Sequence, residues 1–352
     1  MSHTPPIVWA DPARAAAFSG WLAATAATHQ LDVSTLRVAS ADASFRRYFR
    51  LDGVTGSRIV MDAPPAVENS EPFVRIAALM ANAGLRVPEV LAWDRTLGFL
   101  LLSDLGAQTM LDVIQPEAPQ ANLPLYLEAV DALVALQKAS RPDVLPPYDE
   151  ALLRRELQLF PDWYIAKHRG VVLDDKQQAT LDHAFSSIVA SNLAAPSVYV
   201  HRDFMPRNLM VNPDGGALGV LDFQDAVYGP ITYDIASLMR DAFLSWEEDF
   251  VLEVTVRYWQ VARKAGLPVD DDFGAFYRGV EYMGLQRHLK VAGIFARLTL
   301  RDGKPKYLAD APRFIQYIRA TASRYRELGP LLKVIDQIEG AEAPAGYVFG
   351  RI

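Results

Sequence analysis

Three polar side chains in one short stretch of the chain could together handle a complex of magnesium and a nucleotide. Asp203 is followed by Asn208 after four intervening residues, and Asp222 comes fourteen residues after Asn208. Carboxylate and amide oxygens are the ligands that magnesium prefers, and a carboxylate can also accept the proton of a reacting hydroxyl group. The residue types therefore predict phosphoryl transfer, in which two groups hold the metal and one receives the proton.

The first part of this stretch has the spacing of a kinase catalytic loop. In such loops His-Arg-Asp is followed after four residues by Asn, as it is from residue 201 to residue 208. Asp222 begins the triplet Asp-Phe-Gln, where protein kinases carry Asp-Phe-Gly. A motif this short also arises by chance, so the surrounding sequence has to support it.

Two apolar runs lie between Asn208 and Asp222. Residues 209–211 and 217–221 are separated by Asn-Pro-Asp-Gly-Gly, a composition typical of a turn. The two runs should form an antiparallel hairpin, preceded by a short strand at residues 198–200. Such a hairpin would bring Asn208 and Asp222 together, so that both side chains could reach one metal ion.

The composition limits the classes of protein to which the chain can belong. Its 352 residues are 51% hydrophobic, which suffices for a large core and suggests two domains or lobes. The absence of cysteine excludes disulfides, thiolate zinc sites and a cysteine nucleophile. The net charge of −7, with both signs interspersed, argues against nucleic-acid binding. Because neither a signal peptide nor a long apolar run is present, we expect a cytoplasmic protein without a membrane partner. We also expect a monomer.

The order of the predicted elements indicates an α+β chain with a small sheet-rich lobe and a larger helical lobe. For the first lobe, residues 1–102, we predict helices at 11–29 and 71–83 and strands at 36–40, 45–51, 58–62, 90–93 and 99–102. Residues 103–106 form the hinge. For the second lobe, residues 107–352, we predict helices at 124–140, 149–168, 174–192, 231–243, 246–265, 271–300 and 305–328.

The chain resembles the aminoglycoside phosphotransferase family over nearly its whole length. The strongest likeness is in VHRDFMPRNLMV and LDFQDAVYGPITYDIASLMRD. The resemblance implies a bilobal protein-kinase-like fold with an antiparallel sheet, and ATP and Mg²⁺ as cofactors. It also implies roles for individual residues: Asp203 as catalytic base, Asn208 and Asp222 as metal ligands, Ser103 and Leu105 as backbone contacts to adenine, and His201 and Asp234 as supports of the catalytic loop.

A narrower likeness is to a bacterial branch of this family. It is found in ADASFRRYFRL, MDAPP, GFLLLSDLG and GLQRHLKVAGIFARL. This likeness implies that the acceptor is the anomeric hydroxyl of N-acetylmuramate or N-acetylglucosamine, and that the product is a sugar 1-phosphate for cell-wall recycling. Two alternatives remain open: a kinase of the same fold acting on an aminoglycoside, a choline-like amine or an amino alcohol, and a protein that binds nucleotide without chemistry.

The nucleotide side of the sequence departs from the kinase pattern. Ser-Ala-Asp-Ala-Ser at residues 40–44 replaces a glycine-rich loop, and the hydroxyl of Ser44 could cover phosphate. The third strand carries Met61 and Asp62 where a lysine is expected. We therefore hypothesise that an arginine near this loop supplies the missing charge; the candidates are Arg46, Arg47 and Arg50. The alternative is that these arginines are solvated residues of an edge strand that discourage strand pairing.

The acceptor side indicates a small molecule. Residues 225–230 leave no room for a long activation loop, so a protein substrate would lack a platform. The helical segment 281–298 is basic, which disfavours a polycationic acceptor; the alternative is a solvated basic face. An aromatic group at residues 163–168 could stack on a sugar, although ordinary core is the alternative. The acceptor candidates are Trp163, Tyr164, Asp225, Gln286, Arg287 and Lys290.

Overall fold

The computed structural model describes residues 7–41, 45–212 and 214–340. Packing divides the chain into two units. The first comprises Met1–Ile114 and Pro206–Asp225, and the second comprises Gln115–Met205 and Ala226–Ile352. This grouping differs from the lobes predicted on either side of residues 103–106, because the hairpin packs with the first unit: Val220 N donates to Arg86 O over 2.8 Å. The lobe boundaries themselves stay a prediction.

An antiparallel sheet forms the centre of the first unit. Its order is β1-β2-β3-β5-β4. The strands are β1 Leu31–Ala41, β2 Arg47–Gly53, β3 Arg58–Asp62, β4 Val90–Asp94 and β5 Phe99–Ser103. Every neighbouring pair is antiparallel, as the resemblance implied. The lengths of β1 and β2 differ from those predicted by a few residues at their ends, where strand assignments are least certain from sequence.

Helix α1, Pro12–His29, covers one face of this sheet. Asp11 caps it by accepting a hydrogen bond from Ala13 N, and Pro12 occupies the first turn, as the sequence predicted. Alternation along the strands places one set of apolar side chains against the helix. This core comprises Phe18, Leu22, Phe49, Leu51, Val60, Phe99 and Leu101. The unit also contains α2, Glu71–Asn82, and the short α3, Met110–Val113.

The predicted hairpin is present in the first unit. Its strands, Leu209–Met210 and Gly219–Val220, pair in antiparallel register with Leu209 opposite Val220. They are shorter than the predicted runs. Val211 instead donates to Gln108 O over 2.9 Å, so this residue leaves the hairpin to bond another part of the unit.

The second unit is mainly helical. Its α-helices are α4 Leu123–Lys138, α5 Glu150–Leu157, α6 Asp175–Ala194, α7 Thr232–Met239, α8 Glu248–Lys264, α9 Phe273–Leu300, α10 Ala311–Arg324 and α11 Gly329–Glu339. The strand Ser197–Val200 pairs with Val227–Pro230, a second strand that the sequence did not predict. No helix within the described ranges combines the length and the apolar character that a membrane crossing requires.

Two predicted helices of this unit are divided. The one predicted at residues 149–168 ends at Leu157 and continues as a π-helix over Phe160–His168. Pro161 has no N–H to donate, which favours a wider turn near this position. The helix predicted at residues 305–328 divides into a 3₁₀ turn, Pro305–Asp310, and α10. The prediction omitted α11, whose Gly-Pro start resembles a turn in sequence.

Helix α9 is central to the second unit. It contacts the π-helix, α7, α10 and α6, and its side chains between Val280 and Lys290 are buried all round. Gly293 lies against the backbone of Leu159, where an added Cβ would stand 2.3 Å from the carbonyl oxygen. This helix is therefore in the interior of the unit.

Candidate active site

Asn208 and Asp222 lie together at the open end of the hairpin in the first unit. Asn208 Nδ2 is 3.4 Å from Asp222 Oδ2. The backbones are joined as well, since Leu221 N donates to Asn208 O over 2.9 Å. Asp222 has a φ of 63°, in the left-handed region that Asp tolerates better than most residues. The antiparallel pairing thus brings together the two residues that the sequence predicted as metal ligands.

The donor set at this end of the hairpin suits magnesium. Within the described ranges, no group of three or more His, Cys, Asp or Glu side chains could form a complete metal cage. Magnesium does not require one, because it is typically held by one or two carboxylates together with water and phosphate oxygens. Asp222 and the amide oxygen of Asn208 fit such a site, and these residues would hold the ion.

Gln224 orients Asp222. Its Nε2 donates to Asp222 Oδ1 over 2.9 Å. Its other side-chain atom, Oε1, is buried and has no hydrogen-bond partner among the described residues. Gln224 was not predicted to be functional, because kinases usually have glycine at this position. The departure from Asp-Phe-Gly was itself a signal that the position has a different role here.

Asp234 accepts hydrogen bonds from the backbone of the catalytic-loop motif in the second unit. Asp234 Oδ2 accepts from His201 N over 2.7 Å, and Oδ1 accepts from Arg202 N over 3.0 Å. Asp234 is fully buried, and burial raises the pKa of its carboxyl to about 6 despite the opposing charge of His201 and these two amides. His201 is also fully buried, and its Nδ1 accepts from Asp203 N over 3.3 Å. Asp203 therefore follows two residues whose backbone is fixed.

The basic residues of α9 are not a solvated face; that alternative is wrong. Gln286, Arg287 and Lys290 are 0%, 3% and 9% exposed. Gln286 Nε2 donates to Leu153 O over 2.9 Å, Arg287 Nη1 donates to Arg202 O over 2.7 Å, and Lys290 Nζ lies 2.9 Å from Glu156 Oε1. Each contacts a protein group within the second unit. Acceptor binding by these residues stays a prediction, and their present contacts are structural.

Glu156 is a further residue of the second unit, and it was not predicted from the sequence. It accepts from Arg202, Lys290 and Tyr148. Burial disfavours its charge, but the neighbouring cations Lys290 and Arg202 outweigh burial and lower the pKa of its carboxyl. Its position three residues after Leu153 and four before Phe160, both buried, places it on the apolar face of the helix. That spacing was the available signal.

The aromatic acceptor candidates lie on the π-helix. Tyr164 stacks on Phe160 with ring centroids 5.2 Å apart, and its hydroxyl donates to Glu339 over 3.0 Å. Lys167 Nζ stands 3.7 Å from the ring centroid of Trp163. A cleft of about 520 Å³ opens beside Tyr164. Asp225 is exposed at the end of the first unit. Their role in acceptor binding stays a prediction.

The predicted adenine contacts are partly used by the protein itself. Ser103 N donates to Glu89 O over 2.9 Å, and Leu105 O accepts from Arg86 Nη2 over 2.9 Å. The N–H of Leu105 has no hydrogen-bond partner among the residues that the structure describes, so it remains a donor for a ligand. Ser44, predicted to contact phosphate, lies outside the described residues.

Arg47 and Arg50 do not lie on an edge strand, so that alternative is wrong for these two arginines. Strand β2 lies between β1 and β3. Arg47 donates from Nε and Nη2 to the buried Asp62, over 3.0 and 2.6 Å. Arg50 donates to both oxygens of Asp104, over 2.6 and 3.0 Å. Arg46, one residue before β2, has its Nε 3.8 Å from Glu68 Oε2. Arg47 and Arg50 thus each pair with a carboxylate of the first unit, and Asp62 also accepts from Arg14.

The fold resembles that of known small-molecule kinases. A choline/ethanolamine kinase family protein from Mesorhizobium loti superimposes with a TM-score of 0.62 at 18% identity, covering 92% of this chain and 99% of the other. At that identity the likeness concerns the fold alone. It is the kinase-like fold of the phosphotransferases, which confirms the predicted fold class.

Sequence comparison identifies the family. Residues 35–271 match the family model described as "Phosphotransferase enzyme family" (APH). Two N-acetylmuramate/N-acetylglucosamine kinases are similar over most of their length. The one from Pseudomonas aeruginosa is 52% identical, covering 87% of this chain and 89% of the relative. The one from Neisseria meningitidis serogroup B is 50% identical, covering 89% and 94%. The chain belongs to the phosphotransferase enzyme family, which confirms the resemblance seen in its motifs.

Proposed function

We propose that this protein transfers the γ-phosphoryl group of ATP to the anomeric hydroxyl of N-acetylmuramate and N-acetylglucosamine. The observation that carries the proposal is the identity of about half of the aligned residues, over 87% and 89% of this chain, with two kinases named for these two sugars. The anomeric position and the product, a sugar 1-phosphate for cell-wall recycling, come from the narrower likeness in the motifs. The protein would act in the cytoplasm, where ATP is available.

Three side chains have roles in this proposal. Asp203 accepts the proton of the sugar hydroxyl as the new bond to phosphorus forms, a contribution of roughly 10²–10⁴-fold in rate. Asn208 and Asp222 hold magnesium through side-chain oxygens. When bound, the metal supplies positive charge that offsets the negative charge on the phosphate oxygens. Gln224 keeps Asp222 in the orientation that this binding needs.

We also propose that Arg46 supplies the charge that the missing strand lysine would provide. Arg47 and Arg50 would each have to give up two hydrogen bonds to a carboxylate before contacting phosphate. Such charge-assisted pairs are about twice as strong as neutral hydrogen bonds, so breaking them is costly. Arg46 lies next to the loop expected to cover the phosphates. That position supports the choice of Arg46 among the three arginines.

The charge of α9 does not discriminate among acceptors. Lys290 is matched by Glu156, and Arg287 donates to a backbone oxygen inside the second unit. Since these cations are buried, they no longer argue against a cationic acceptor. The choice of an amino sugar rests on the two relatives.

The test is a product analysis. The protein is incubated with ATP, Mg²⁺ and, separately, N-acetylmuramate, N-acetylglucosamine, kanamycin, choline and ethanolamine, with Asp203→Asn as the control. Phosphorus NMR then identifies the product. We expect a sugar 1-phosphate from the two amino sugars and no product from the other acceptors. Phosphorylation at another hydroxyl would refute the anomeric assignment, and product from kanamycin or choline alone would refute the acceptor class.

A further inference from the structure

Arg202, the residue immediately before Asp203, has a strained backbone. Its φ is 78°, in the left-handed region. Glycine, asparagine and aspartate adopt this region readily, whereas a residue with a long side chain is unfavourable there. Such a conformation persists only where surrounding groups hold it, and it is often found next to functional residues. The contacts of Arg202 therefore bear on how the next residue is oriented.

Arg202 is held at three points by groups of the second unit. Its backbone N donates to Asp234 Oδ1 over 3.0 Å. Its backbone O accepts from Arg287 Nη1 over 2.7 Å. Its guanidinium donates from Nη2 to Glu156 Oε1 over 2.6 Å. Both peptide groups and the side chain are thus fixed, which leaves Arg202 little freedom to rotate about φ and ψ.

Glu156, the carboxylate that contacts Arg202, is buried in the second unit. Its side chain is 7% exposed, and it accepts from Lys290 and Tyr148 in addition to Arg202. A buried carboxylate is costly unless it is paired and hydrogen-bonded. Here Lys290, Tyr148 and Arg202 all pair with its oxygens, so Glu156 stays ionised and remains an acceptor for Arg202. Lys290 and Tyr148 support Glu156 rather than Arg202 directly.

Arg287 is a buried cation directed at the loop backbone. Its side chain is enclosed by the second unit, since the residue is 3% exposed. Its guanidinium carbon lies 4.9 Å from the ring centroid of Tyr233. Burial opposes its charge, but Tyr233 and Asp203 outweigh burial and raise the pKa of Arg287. Its hydrogen bond to the carbonyl oxygen of Arg202 joins this buried cation to the residue before Asp203.

We propose that Glu156 and Arg287 are positioning residues, which hold Arg202 in its left-handed conformation and thereby orient the carboxylate of Asp203. The inference rests on the proposed function, because it takes Asp203 as the base. Asp203 follows Arg202 directly, so a change in the ψ of Arg202 would swing the carboxylate away from the acceptor hydroxyl. A misplacement of about 1 Å at a reacting group can lower the rate about 10²-fold.

The second unit provides a matched control. Glu281 is a buried carboxylate that also accepts from an arginine, Arg324, and from a tyrosine, Tyr325. None of the contacts described for it reaches the catalytic-loop motif. Glu281→Gln is therefore the control for Glu156→Gln, and Arg324→Met is the control for Arg287→Met. Glu281→Gln alters a buried carboxylate that pairs with an arginine, as Glu156→Gln does, whereas Arg324→Met removes the ion pairs of an arginine that is 37% exposed.

The experiment separates kcat from KM in the intact protein. We expect Glu156→Gln and Arg287→Met to lower kcat about 10–100-fold, with the KM for ATP changed less than about twofold. The control variants should lower the melting temperature but leave kcat within about twofold. If Arg287→Met does not fold, Arg287→Lys serves instead: its ammonium can still donate to Arg202 O, so it should retain more kcat than Glu156→Gln. Losses of kcat no larger than those of the controls would refute the proposal.

Combination with Asp203→Ala tests whether the effect passes through the base. Residues that act as one unit are not additive, so Arg287→Met should lower the residual rate of Asp203→Ala little or not at all. The same fold-loss in both backgrounds would refute a positioning role. The proposed function and this inference can fail separately. A fully active Asp203→Ala variant would refute the proposed base. An inactive Asp203→Ala variant together with normal kcat for Glu156→Gln and Arg287→Met would refute only the positioning role.

Discussion

Gln224 Nε2 donates a hydrogen bond to Asp222 Oδ1 over 2.9 Å, two residues away in the chain. The bond leaves Oδ2 of the same carboxylate directed toward Asn208. Outer partners of metal ligands commonly change metal affinity 10–100-fold when they are removed. The position that kinases give to glycine thus carries a side chain that fixes a predicted metal ligand.

Gln224→Ala should raise the Mg²⁺ concentration needed for half-maximal activity roughly 10–100-fold. Mg²⁺ titrations of the ATP-dependent rate would measure this, and calorimetry of Mg²⁺ binding in the presence of a non-hydrolysable nucleotide would measure it without turnover. The control is Gln178→Ala, since Gln178 makes a similar 3.0 Å bond to Asp182 on the exposed face of α6. An unchanged Mg²⁺ requirement would show that the bond is incidental.

Asp203→Ala should lower kcat roughly 10²–10⁴-fold, because the acceptor hydroxyl loses its proton acceptor. The KM for ATP should change little, since no role in nucleotide binding is assigned to this residue. Initial rates at varied ATP and sugar would separate the two parameters. Asp214→Ala, in the exposed hairpin turn, is the control. Near-normal turnover in Asp203→Ala would contradict the assignment.

Arg46→Met should raise the KM for ATP roughly tenfold, as expected from the loss of one charge-assisted hydrogen bond. Arg47→Met has a different expected result. It removes hydrogen bonds to the buried Asp62, so it should lower the melting temperature and leave the KM for ATP nearly unchanged. Steady-state kinetics and thermal unfolding of both variants would distinguish them. If only Arg47→Met changed the KM, the phosphate contact would belong to Arg47.

His288 should make the protein less stable in acid. Burial, together with the charges of Arg240 and Arg287, lowers the pKa of His288 to about 3. Below pH 6.5 the unfolded chain binds a proton here and the folded protein does not, so stability falls as the pH decreases from 6.5 toward 3. At pH 5 this difference amounts to about 2 kcal/mol.

His288→Phe tests this dependence, because phenylalanine can keep the stacking on Tyr317, whose ring centroid is 4.5 Å away. The variant should be less stable than the wild type at pH 7.5, and this deficit should shrink by about 2 kcal/mol at pH 5. Urea unfolding at both values would measure it. His183→Phe, at an exposed site, should show no such pH dependence. A deficit that stays constant between the two pH values would contradict the buried neutral state.

Gly293→Ala should destabilise the second unit. An added Cβ would lie 2.3 Å from Leu159 O and 2.4 Å from Leu159 C, both backbone atoms. Overpacking of this kind costs about 1–3 kcal/mol. Gly284→Ala in the same helix is the matched control, because its Cβ would meet only Arg240 Cγ at 3.7 Å and the helix gains up to about 1 kcal/mol in propensity. Equal melting temperatures for the two variants would contradict the close contact.

The parts of the fold that could be predicted are those with strong local signals. Strand β3 was predicted at residues 58–62, where it is found. Its β-branched residues favour a strand, and the Pro-Pro that follows them marks its end. The hairpin that joins Asn208 to Asp222 was predictable from its turn composition. The predicted antiparallel pairing implied that these two side chains would meet, and the structure has them 3.4 Å apart.

The rest depended on partners that are distant in the chain. The sequence left open whether Arg287 and Lys290 bind the acceptor or form a solvated basic face, because nothing nearby in sequence neutralises them. Their partners, Glu156 and the carbonyl of Arg202, belong to other elements. The left-handed backbone of Arg202 was also not predictable, since arginine carries no preference for it. Sequence shows which charges are present, whereas burial and tertiary pairing decide what they do.

The division of the chain has a practical consequence for making fragments of this protein. A gene fragment that ends at Ile114 encodes the whole five-stranded sheet but neither Asn208 nor Asp222, because the hairpin returns to that unit only at Pro206–Asp225. Helix α3 contacts residues 206–208, so the ends at Ile114 and Pro206 are close within the unit. Expressing residues 7–114 joined by a short glycine-serine linker to residues 206–225 would preserve the hairpin. Simple truncation yields a sheet without its metal ligands.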